Sequence, residues 1–340
     1  MKRQVVLVTG ASGFIGRNLT EFLLEKGYRI IALDREKGRF CHPQYQYVYG
    51  FAEDGKEWEL REISGDIRDL DLLQRVFGYQ IDYVIHLAAL STIQMGARDK
   101  QETRSVNVDG TRNLLNAVKE REGIKGFLFA STDKVYGKLT SQAYTEKDQL
   151  LPLDSPYDRS KREADEMVCR FWETYGVHTV TLRFCNIYGR YDRHTTRIIP
   201  GTIQAILNKR ECVLRVYRAD DGRLQNYRRD FLYVDDLCEA IGRILERLEI
   251  WNQRNDALWG QAFNLGSCRN DSVCEVMQLL RMQMECRTPL RVEVSEGLPE
   301  IPRQHMDFTK ARQTFGFEPV TPLEKGLKET VTWWQSMMKT

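Results

Sequence analysis

Thr9-Gly10-Ala11-Ser12-Gly13-Phe14-Ile15-Gly16 stands between the apolar run Val5–Val8 and a helical pattern that opens at Phe14. A buried strand, a glycine turn and a helix start, in that order, make a mould for an anionic ligand. Gly10 permits the tight turn, Gly13 lets the backbone approach a pyrophosphate, and Gly16 lets the helix pack closely on the strand. The N–H groups at the helix start have no partner within the helix and carry the positive end of its dipole, so they can hold phosphates. Gly10, Ser12, Gly13, Phe14, Ile15 and Gly16 are therefore the candidate cradle for a dinucleotide. A chance glycine-rich loop gives the same spacing, and what lies downstream separates the two.

Downstream, Ile30-Ile31-Ala32-Leu33-Asp34 reads as a second strand ending in a carboxylate. At that place an acid accepts from both ribose hydroxyls and repels a 2′-phosphate, which favours NAD, although Arg35 next door could pair with such a phosphate. Gly65-Asp66-Ile67-Arg68-Asp69 follows a third strand. There Asp66 and Ile67 are candidates for the adenine, and a helix N-cap is the competing role for Asp66. His86-Leu87-Ala88-Ala89 ends a fourth strand. Leu87, Ala88 and Ala89 leave room for the cofactor, whereas His86 reads as a packed, hydrogen-bonded histidine and not as a proton carrier. Asn107 completes the cofactor-binding set.

Strand readings at Val5–Thr9, Arg29–Leu33, Glu59–Ser64, Tyr83–Leu87, Gly126–Ser131 and Val177–Phe184 alternate with helical ones at Phe14–Lys26, Asp69–Phe77, Arg104–Arg121 and Tyr157–Tyr175. Such alternation predicts right-handed parallel crossovers and an α/β, Rossmann-type doubly wound parallel sheet. Residues 35–58 lack a clear period and read as a long surface excursion. Beyond about residue 185 the rhythm changes. Asn186–Thr196 reads as a polar loop, Tyr217–Arg229 as an exposed arginine-rich turn, and Ile198–Asn208, Asp235–Leu248, Ser272–Glu285 and Pro322–Met338 as helices. Val213–Tyr217 and Leu290–Val294 read as short strands. Residues 1–185, with returns near 230–265, are thus expected to form the dinucleotide-binding domain, and 186–340 mainly a smaller substrate-binding lobe.

Bulk properties narrow the classes. The 340 residues carry 50 Lys+Arg against 48 Asp+Glu, a formal net charge of +2. That balance speaks against a nucleic-acid binder, which concentrates basic charge. No stretch reaches the roughly 18 apolar residues of a spanning helix, and the N-terminal apolar run is too short for a signal-peptide core, so a cytoplasmic enzyme with no membrane partner is expected. The eight cysteines are dispersed with no Cys-x-x-Cys pair. This pattern reads as reduced thiols, with neither a disulfide frame nor a metal site.

Tyr157-Asp158-Arg159-Ser160-Lys161 opens a helix after Pro156, with the tyrosine and lysine one turn apart on one face. An ammonium near a phenol favours the phenolate, so Tyr157 is a candidate general base for an alcohol whose carbon loses hydride. The fifth strand runs into Ala130-Ser131-Thr132-Asp133-Lys134-Val135-Tyr136-Gly137. With Asn107-Val108-Asp109-Gly110-Thr111, Arg183-Phe184-Cys185-Asn186-Ile187-Tyr188-Gly189, Arg229-Asp230-Phe231-Leu232-Tyr233-Val234-Asp235-Asp236 and Pro322-Leu323-Glu324-Lys325-Gly326-Leu327, these stretches resemble the extended short-chain dehydrogenase/reductase family, its nucleotide-sugar epimerases and dehydratases in particular. The resemblance runs over nearly the whole chain.

That resemblance implies NAD as cofactor and a nucleotide-diphosphate sugar as substrate. It implies that Thr132 and Tyr157 hold the sugar O4, that Lys161 also binds the nicotinamide ribose, and that Asn186, Arg229 and Arg303 contact the substrate at its diphosphate, which planar guanidinium groups suit. Arg303 can equally be a solvated surface charge, because the family's Arg-Pro-Gly-Asp is here Arg303-Gln304-His305-Met306-Asp307. A homodimer built from the helices at 104–121 and 157–175 is a further expectation from resemblance.

Epimerases and 4,6-dehydratases of this group share the first oxidation, at sugar C4. A dehydratase also needs an acid for the departing C6 hydroxyl and a base for the C5 proton. Thr132-Asp133-Lys134 is similar to CDP-glucose 4,6-dehydratases and inverting UDP-N-acetylglucosamine dehydratases, which casts Asp133 as the acid and Lys134 as the base. A lysine in a salt bridge, and an NDP-sugar epimerase of the UDP-glucose 4-epimerase or CDP-tyvelose 2-epimerase kind, stay open as the alternatives. So does a dinucleotide-sensing binding protein without turnover, although such proteins commonly lose the tyrosine or the lysine.

Overall fold

The computed structural model describes residues 3–36, 44–51, 57–91, 99–251, 258–295 and 300–338. Chain packing divides it into two compact units. The first comprises Met1–Val135, Pro152–Arg183 and Ile241–Phe263, and the second Tyr136–Leu151, Phe184–Ala240 and Asn264–Thr340.

Around one eight-stranded sheet the first unit sets β1 (Val5–Thr9), α1 (Phe14–Glu25), β2 (Arg29–Asp34), β3 (Tyr47–Tyr49), β4 (Leu60–Ser64), α2 (Leu70–Val76) and β5 (Tyr83–His86). They are followed by α3 (Lys100–Arg104), a π-helical segment Ser105–Gly110, α4 (Thr111–Lys119), β6 (Gly126–Thr132), α5 (Pro156–Tyr175) and β7 (Thr179–Phe184). The strand order is β13-β7-β6-β5-β1-β2-β4-β3, where β13 (Gln261–Leu265) is the strand in which the chain passes into the second unit. The β1–β2, β1–β5, β2–β4, β3–β4 and β5–β6 pairs are parallel. From β1 the chain fills one side of the sheet and then returns to fill the other, so the order reverses between β1 and β5. Ligands of such sheets bind beyond the strand ends at that reversal. Strands buried on both faces read as continuous apolar runs, and β1 is buried at all five positions. Leu7, Ile31, Ile63, Val84, Phe127 and Phe129 pack there with Leu114, Leu115, Ala164 and Val168 from the helices.

Two readings of this half change. Residues 35–58 contain β3, whose Tyr47-Val48-Tyr49 is an edge strand of three residues, too short for an alternation to register; positions 37–43 and 52–56 lie outside the described residues, as does Cys41. The helix expected over 104–121 starts earlier, at Lys100, and is interrupted by the π-helical turn. Thr111 Oγ1 donates to the Asn107 carbonyl (2.7 Å), and at Gly110 a Cβ would lie 2.5 Å from Ile67 Cδ1, so the wider turn lets the backbone come down onto Ile67. Single π-turns of this sort collect at functional sites.

In the second unit β8 (Asn186–Tyr188) pairs in parallel with β12 (Phe231–Tyr233), and β11 (Arg228–Arg229) runs antiparallel to β14 (Asp271–Ser272). A separate sheet has the order β10-β9-β15, from Leu224–Asn226, Cys212–Arg218 and Leu290–Val294. Packed with these strands are α6 (Ile198–Leu207), α8 (Val273–Gln283) and α10 (Leu323–Met337), while α9 (Thr309–Phe315) is short and α7 (Val234–Trp251) carries the chain back to the first unit. The arginine-rich turn expected over 217–229 is instead a hairpin, β9 against β10, reversing at Gly222 (φ +81°). Asn186–Thr196 begins as strand β8, not as loop. Among the described residues no helix is long and apolar enough to cross a membrane.

Candidate active site

At the end of β1, Gly10 takes φ +71°, and a Cβ there would lie 2.7 Å from the Ala88 nitrogen, so the turn and the segment after β5 touch across the sheet's reversal point. A Cβ on Gly16 would come within 2.1 Å of the Gly10 carbonyl oxygen and 2.7 Å of Ala11 Cα. The absent side chain thus protects the turn itself more than a helix–strand contact. Gly13 is the N-cap of α1, and no side chain caps that helix. Ser12 is buried and its hydroxyl has no hydrogen-bond partner. An uncapped helix start, an unsatisfied buried hydroxyl and backbone approaches that a methyl would block fit a pyrophosphate.

Asp34 Oδ2 accepts from the Ser12 N–H (3.0 Å) and Oδ1 from the Glu36 N–H (3.1 Å), which fixes the carboxylate beside the turn. Asp66 is gripped by Arg68, with Nε to Oδ1 at 3.0 Å and Nη2 to Oδ2 at 2.7 Å, and this hydrogen bonding holds its carboxyl below the usual range despite partial burial. The N-cap of α2 is Asp69, which accepts from the Leu72 N–H, so Asp66 does not fill the capping role considered for it. Ile67 is buried, and Ala88 and Ala89 are half-buried beside Leu87.

Behind these residues runs a chain of buried hydrogen bonds. Thr111 Oγ1, having given its proton to the Asn107 carbonyl, accepts from His86 Nε2 (2.8 Å), which leaves His86 Nδ1 to accept from Thr9 Oγ1 (2.7 Å). Burial, and then the Lys161 charge, lower the His86 pKa to about 3, so the imidazole is neutral and structural. Asn107 spends its amide on protein: Oδ1 accepts from the Leu90 N–H (2.8 Å), and Nδ2 donates to the Leu90 carbonyl (3.2 Å) and to Ser160 Oγ (2.9 Å). Ser160 in turn donates to the Tyr157 carbonyl (2.7 Å).

Helix α5 starts sharply. Ser155 accepts from the Asp158 N–H, and Pro156, whose fixed φ suits a first turn, follows. This places Tyr157, half-buried, in the first turn and Lys161 one turn later, fully buried. Lys161 Nζ donates to the Ala130 carbonyl (2.5 Å) and lies 4.3 Å from the centre of the Phe129 ring. Burial draws its pKa down to about 8, with the Asp165 carboxylate opposing that shift. At the end of β6, Thr132 Oγ1 donates to Asp133 Oδ1 (3.2 Å) and accepts from the Lys134 N–H (3.3 Å). Asp133 is only 3% exposed, whereas Lys134 is half-buried. Thr132, Asp133, Lys134, Tyr157 and Lys161 all belong to the first unit: Thr132 ends β6, Asp133 and Lys134 open the 3₁₀ turn Asp133–Tyr136 after it, and Tyr157 and Lys161 lie in the first turns of α5.

In the second unit, Asn186 donates from Nδ2 and from its backbone N–H to the Asp230 carbonyl (3.2 and 3.1 Å). Arg229 is buried. Its Nη2 donates to Glu300 (2.6 Å), its Nη1 to the Arg228 and Pro302 carbonyls (2.8 and 3.3 Å), and the guanidinium lies 5.1 Å from the Tyr227 ring centre. Arg303 is exposed and donates to the Ser141 carbonyl (3.0 Å).

Other supporting residues escaped the sequence reading. Asp165, fully buried, accepts from Ser131 Oγ (2.6 Å) and from Arg183 Nε and Nη2 (3.0 and 2.8 Å). The available signal was slight: Ser131 precedes Thr132, and Asp165 follows Lys161 by one helical turn.

Residues 6–266 match the model of the NAD dependent epimerase/dehydratase family. The chain is 30% identical over 338 residues to the dTDP-D-glucose 4,6-dehydratase of Mus musculus, covering 97% of this chain and 88% of that one. It is 31% identical over 343 residues to the UDP-glucose 4-epimerase of Halalkalibacterium halodurans, covering 96% and 95%. Among solved structures, the dTDP-glucose 4,6-dehydratase DesIV of Streptomyces venezuelae, with NAD and TYD bound, superposes with a TM-score of 0.81 at 26% identity, covering 98% of this chain and 97% of that one. Relatives of both reaction types thus match the chain over nearly its whole length. The protein belongs to the NAD-dependent epimerase/dehydratase family of nucleotide-sugar enzymes, with NAD as its cofactor.

Proposed function

We propose that this protein is an NDP-hexose 4,6-dehydratase, which converts a nucleotide-diphosphate hexose into its 4-keto-6-deoxy derivative. The supporting observation is Asp133, a carboxyl almost wholly out of water whose Oδ1 accepts from Thr132, the hydroxyl assigned to the sugar O4. A group so placed is suited to deliver a proton to a departing hydroxyl beside that oxygen.

Gly10, Ser12, Gly13, Phe14, Ile15 and Gly16 would hold the NAD pyrophosphate, Asp34 the adenosine ribose, and Asp66 and Ile67 the adenine. Leu87, Ala88, Ala89 and the segment fixed by Asn107 would bound the same site, and Lys161 would reach the nicotinamide ribose. When bound, NAD supplies reversible hydride acceptance from the sugar. Tyr157, with the Lys161 ammonium near it, takes the proton of the C4 hydroxyl while Thr132 holds its oxygen. Lys134 removes the C5 proton, and Asp133 protonates the C6 hydroxyl, which departs as water; C6 then receives back the hydride taken from C4 and C5 is reprotonated, giving the 4-keto-6-deoxy sugar. Asn186, Arg229 and Arg303 are assigned to the substrate diphosphate, and there a phosphate oxygen would share Arg229 with Glu300.

4-Epimerisation is the second reading, supported by the bacterial epimerase at 31% identity; it needs Thr132, Tyr157 and Lys161 but not the Asp133 acid. The test is product analysis with CDP-, UDP-, dTDP- and GDP-hexoses. One of them should yield the 4-keto-6-deoxy sugar, and recovery of epimers alone from all four would overturn the dehydratase assignment. Asp133→Asn should cut water loss by about 10²–10⁴-fold yet still permit C4 oxidation, visible as reduced-nicotinamide absorbance. An undiminished dehydration rate would remove Asp133 from the acid role.

A homodimer through α4 and α5 belongs to the same proposal. Their outer groove is lined by Arg112, Asn116, Glu163, Glu166, Arg170 and Tyr175, and its mixed charges suit pairing with a second copy about a two-fold axis. All seven cysteines among the described residues are free thiols, which supports a reducing, cytoplasmic setting.

A further inference from the structure

Two side chains from one face of α5 grip two consecutive residues of β6. Lys161 takes the Ala130 carbonyl (2.5 Å), and Asp165, one turn on, takes the Ser131 hydroxyl (2.6 Å). The next residue is Thr132. Asp165 is itself held on its far side by Arg183 of β7, two parallel N–H···O contacts at 3.0 and 2.8 Å, in a pair that is 6% and 0% exposed. Bidentate pairing to Arg183, with Ser131 on one of the same oxygens, commits both carboxylate oxygens and leaves the Lys161 ammonium to the Ala130 carbonyl.

We infer that Asp165 is a positioning residue for the reaction: through Ser131 it fixes the strand end that carries Thr132, and as a buried anion one turn from Lys161 it balances that ammonium. The inference rests on the proposed roles of Tyr157, Lys161 and Thr132. Around Lys161 stand the Phe129 ring and Ala130 carbonyl from β6, the neutral His86 from β5, and Tyr157 and Asp165 from its own helix, with Arg183 of β7 behind Asp165. Asp165 is therefore the negative group acting on that ammonium among them. Burial alone drives Lys161 toward the neutral amine, with Asp165 the opposing influence, and the balance leaves its pKa at about 8. Arg183 keeps the carboxylate where it serves both purposes: without it, Asp165 would be free to swing onto the lysine and draw it from the Tyr157 side.

The sign follows. Replacing Asp165 by a neutral residue moves the Lys161 pKa further down, so the ammonium that favours the Tyr157 phenolate is lost at a lower pH. In Asp165→Asn the alkaline limb of kcat/KM for C4 oxidation, followed by reduced-nicotinamide absorbance, should move to lower pH by about one unit. Ser131→Ala removes a contact but no charge, so it should lower kcat with the limb unmoved. The double variant Asp165→Asn/Arg183→Met removes the carboxylate together with the guanidinium paired to it, so Arg183 is not left buried without a partner, which guards against a result that only reports misfolding. Its limb should move in the same direction, by less, because the Arg183 charge that also opposes the ammonium is gone. A limb in the wild-type position in both Asp165 variants, with kcat lowered as in Ser131→Ala, would reduce Asp165 to a structural residue and overturn the inference. Tyr157→Phe is the control for the underlying assignment. If it still oxidises the sugar, the reading of the tyrosine fails; if it is inactive and the Asp165 limb stays put, only the inference fails.

Discussion

Replacing His86 by glutamine should flatten the acid side of the protein's stability profile. His86 is fully buried, its Nδ1 accepts from Thr9 and its Nε2 donates to Thr111, so a second ring proton would force the Thr9 hydroxyl to turn from donor to acceptor and would face the Lys161 charge. Burial and that charge hold the folded pKa at about 3 against an ordinary value of 6.5. A base depressed in this way is neutral in both states above pH 6.5 and contributes nothing to pH dependence there. Below 6.5 the unfolded chain binds a proton that the folded chain refuses, and stability falls by about 1.4 kcal/mol per unit until the folded pKa is reached. Between pH 7.5 and pH 5 this amounts to about 2 kcal/mol from one residue, because only the about 1.5 units below 6.5 count. Denaturant unfolding at the two pH values measures it. Glutamine keeps a donor and an acceptor but cannot titrate, so His86→Gln should lose about 2 kcal/mol less than wild type over the interval, whatever its stability at pH 7.5. Equal losses in the two proteins would refute the argument that His86 is locked neutral.

Gly16→Ala drives a methyl to within 2.1 Å of the Gly10 oxygen, and since every close neighbour is backbone, no side chain can move aside. The turn itself must open, at a cost of about 1–3 kcal/mol. The NAD Kd, followed by titration of tryptophan fluorescence, should rise by about tenfold or more, and an unaltered Kd would mean that the turn does not hold the cofactor. Tyr175 is 54% exposed at the end of the α4–α5 groove. Tyr175→Asp should convert the expected dimer to monomer in sedimentation equilibrium with an unchanged far-ultraviolet spectrum, whereas a monomeric wild type would dispose of the dimer.

Elements whose residues announce themselves locally were legible in the sequence. The strand Val5–Thr9 is apolar at four of five positions and ends on a glycine turn, and its limits were read without error. Helix α5 carries a cap, a proline and a terminal Gly176 with φ +68°, and its span was read to within one residue. Strands β3, β11 and β14 escaped because two or three residues carry no measurable period, and β10 escaped because an exposed, arginine-flanked hairpin arm looks like a loop, whereas its partner β9 was legible to within one residue at each end. The π-turn before α4 depends on Gly110 meeting Ile67, a contact between residues 43 apart in the sequence. Side chains with distinctive chemistry, Tyr157, Lys161, Thr132 and Asp133, were legible for the same local reason, since each sits at a strand end or in the first two turns of a helix beside recognisable neighbours.

Their supports were not legible, and the reason is topological. Asp165 meets Ser131 only because α5 crosses back over β6, and it meets Arg183 only because β7 is then laid beside β6. The three residues lie on three elements: Ser131 and Arg183 are single polar residues near the ends of largely apolar strands, and Asp165 is one carboxylate in the charged run Arg162-Glu163-Ala164-Asp165-Glu166. The same separation bears on how the two reaction types divide the chain. In the proposed mechanism, oxidation at C4 calls on the glycine turn, Thr132, Tyr157 and Lys161, which either reaction would need. The buried chains Thr9–His86–Thr111–Asn107–Ser160 and Ser131–Asp165–Arg183 hold the strand ends and the helix turn that carry those groups. Nothing in either chain discriminates between returning hydride to C4 and sending it to C6. Asp133 and Lys134 stand outside both chains, at the strand end immediately beyond the Ser131 tether. On the proposed roles a change in reaction type turns on those two positions, so variants at His86 or Asp165 should slow oxidation without altering product identity, while variants at Asp133 should alter the product at an oxidation rate close to the original.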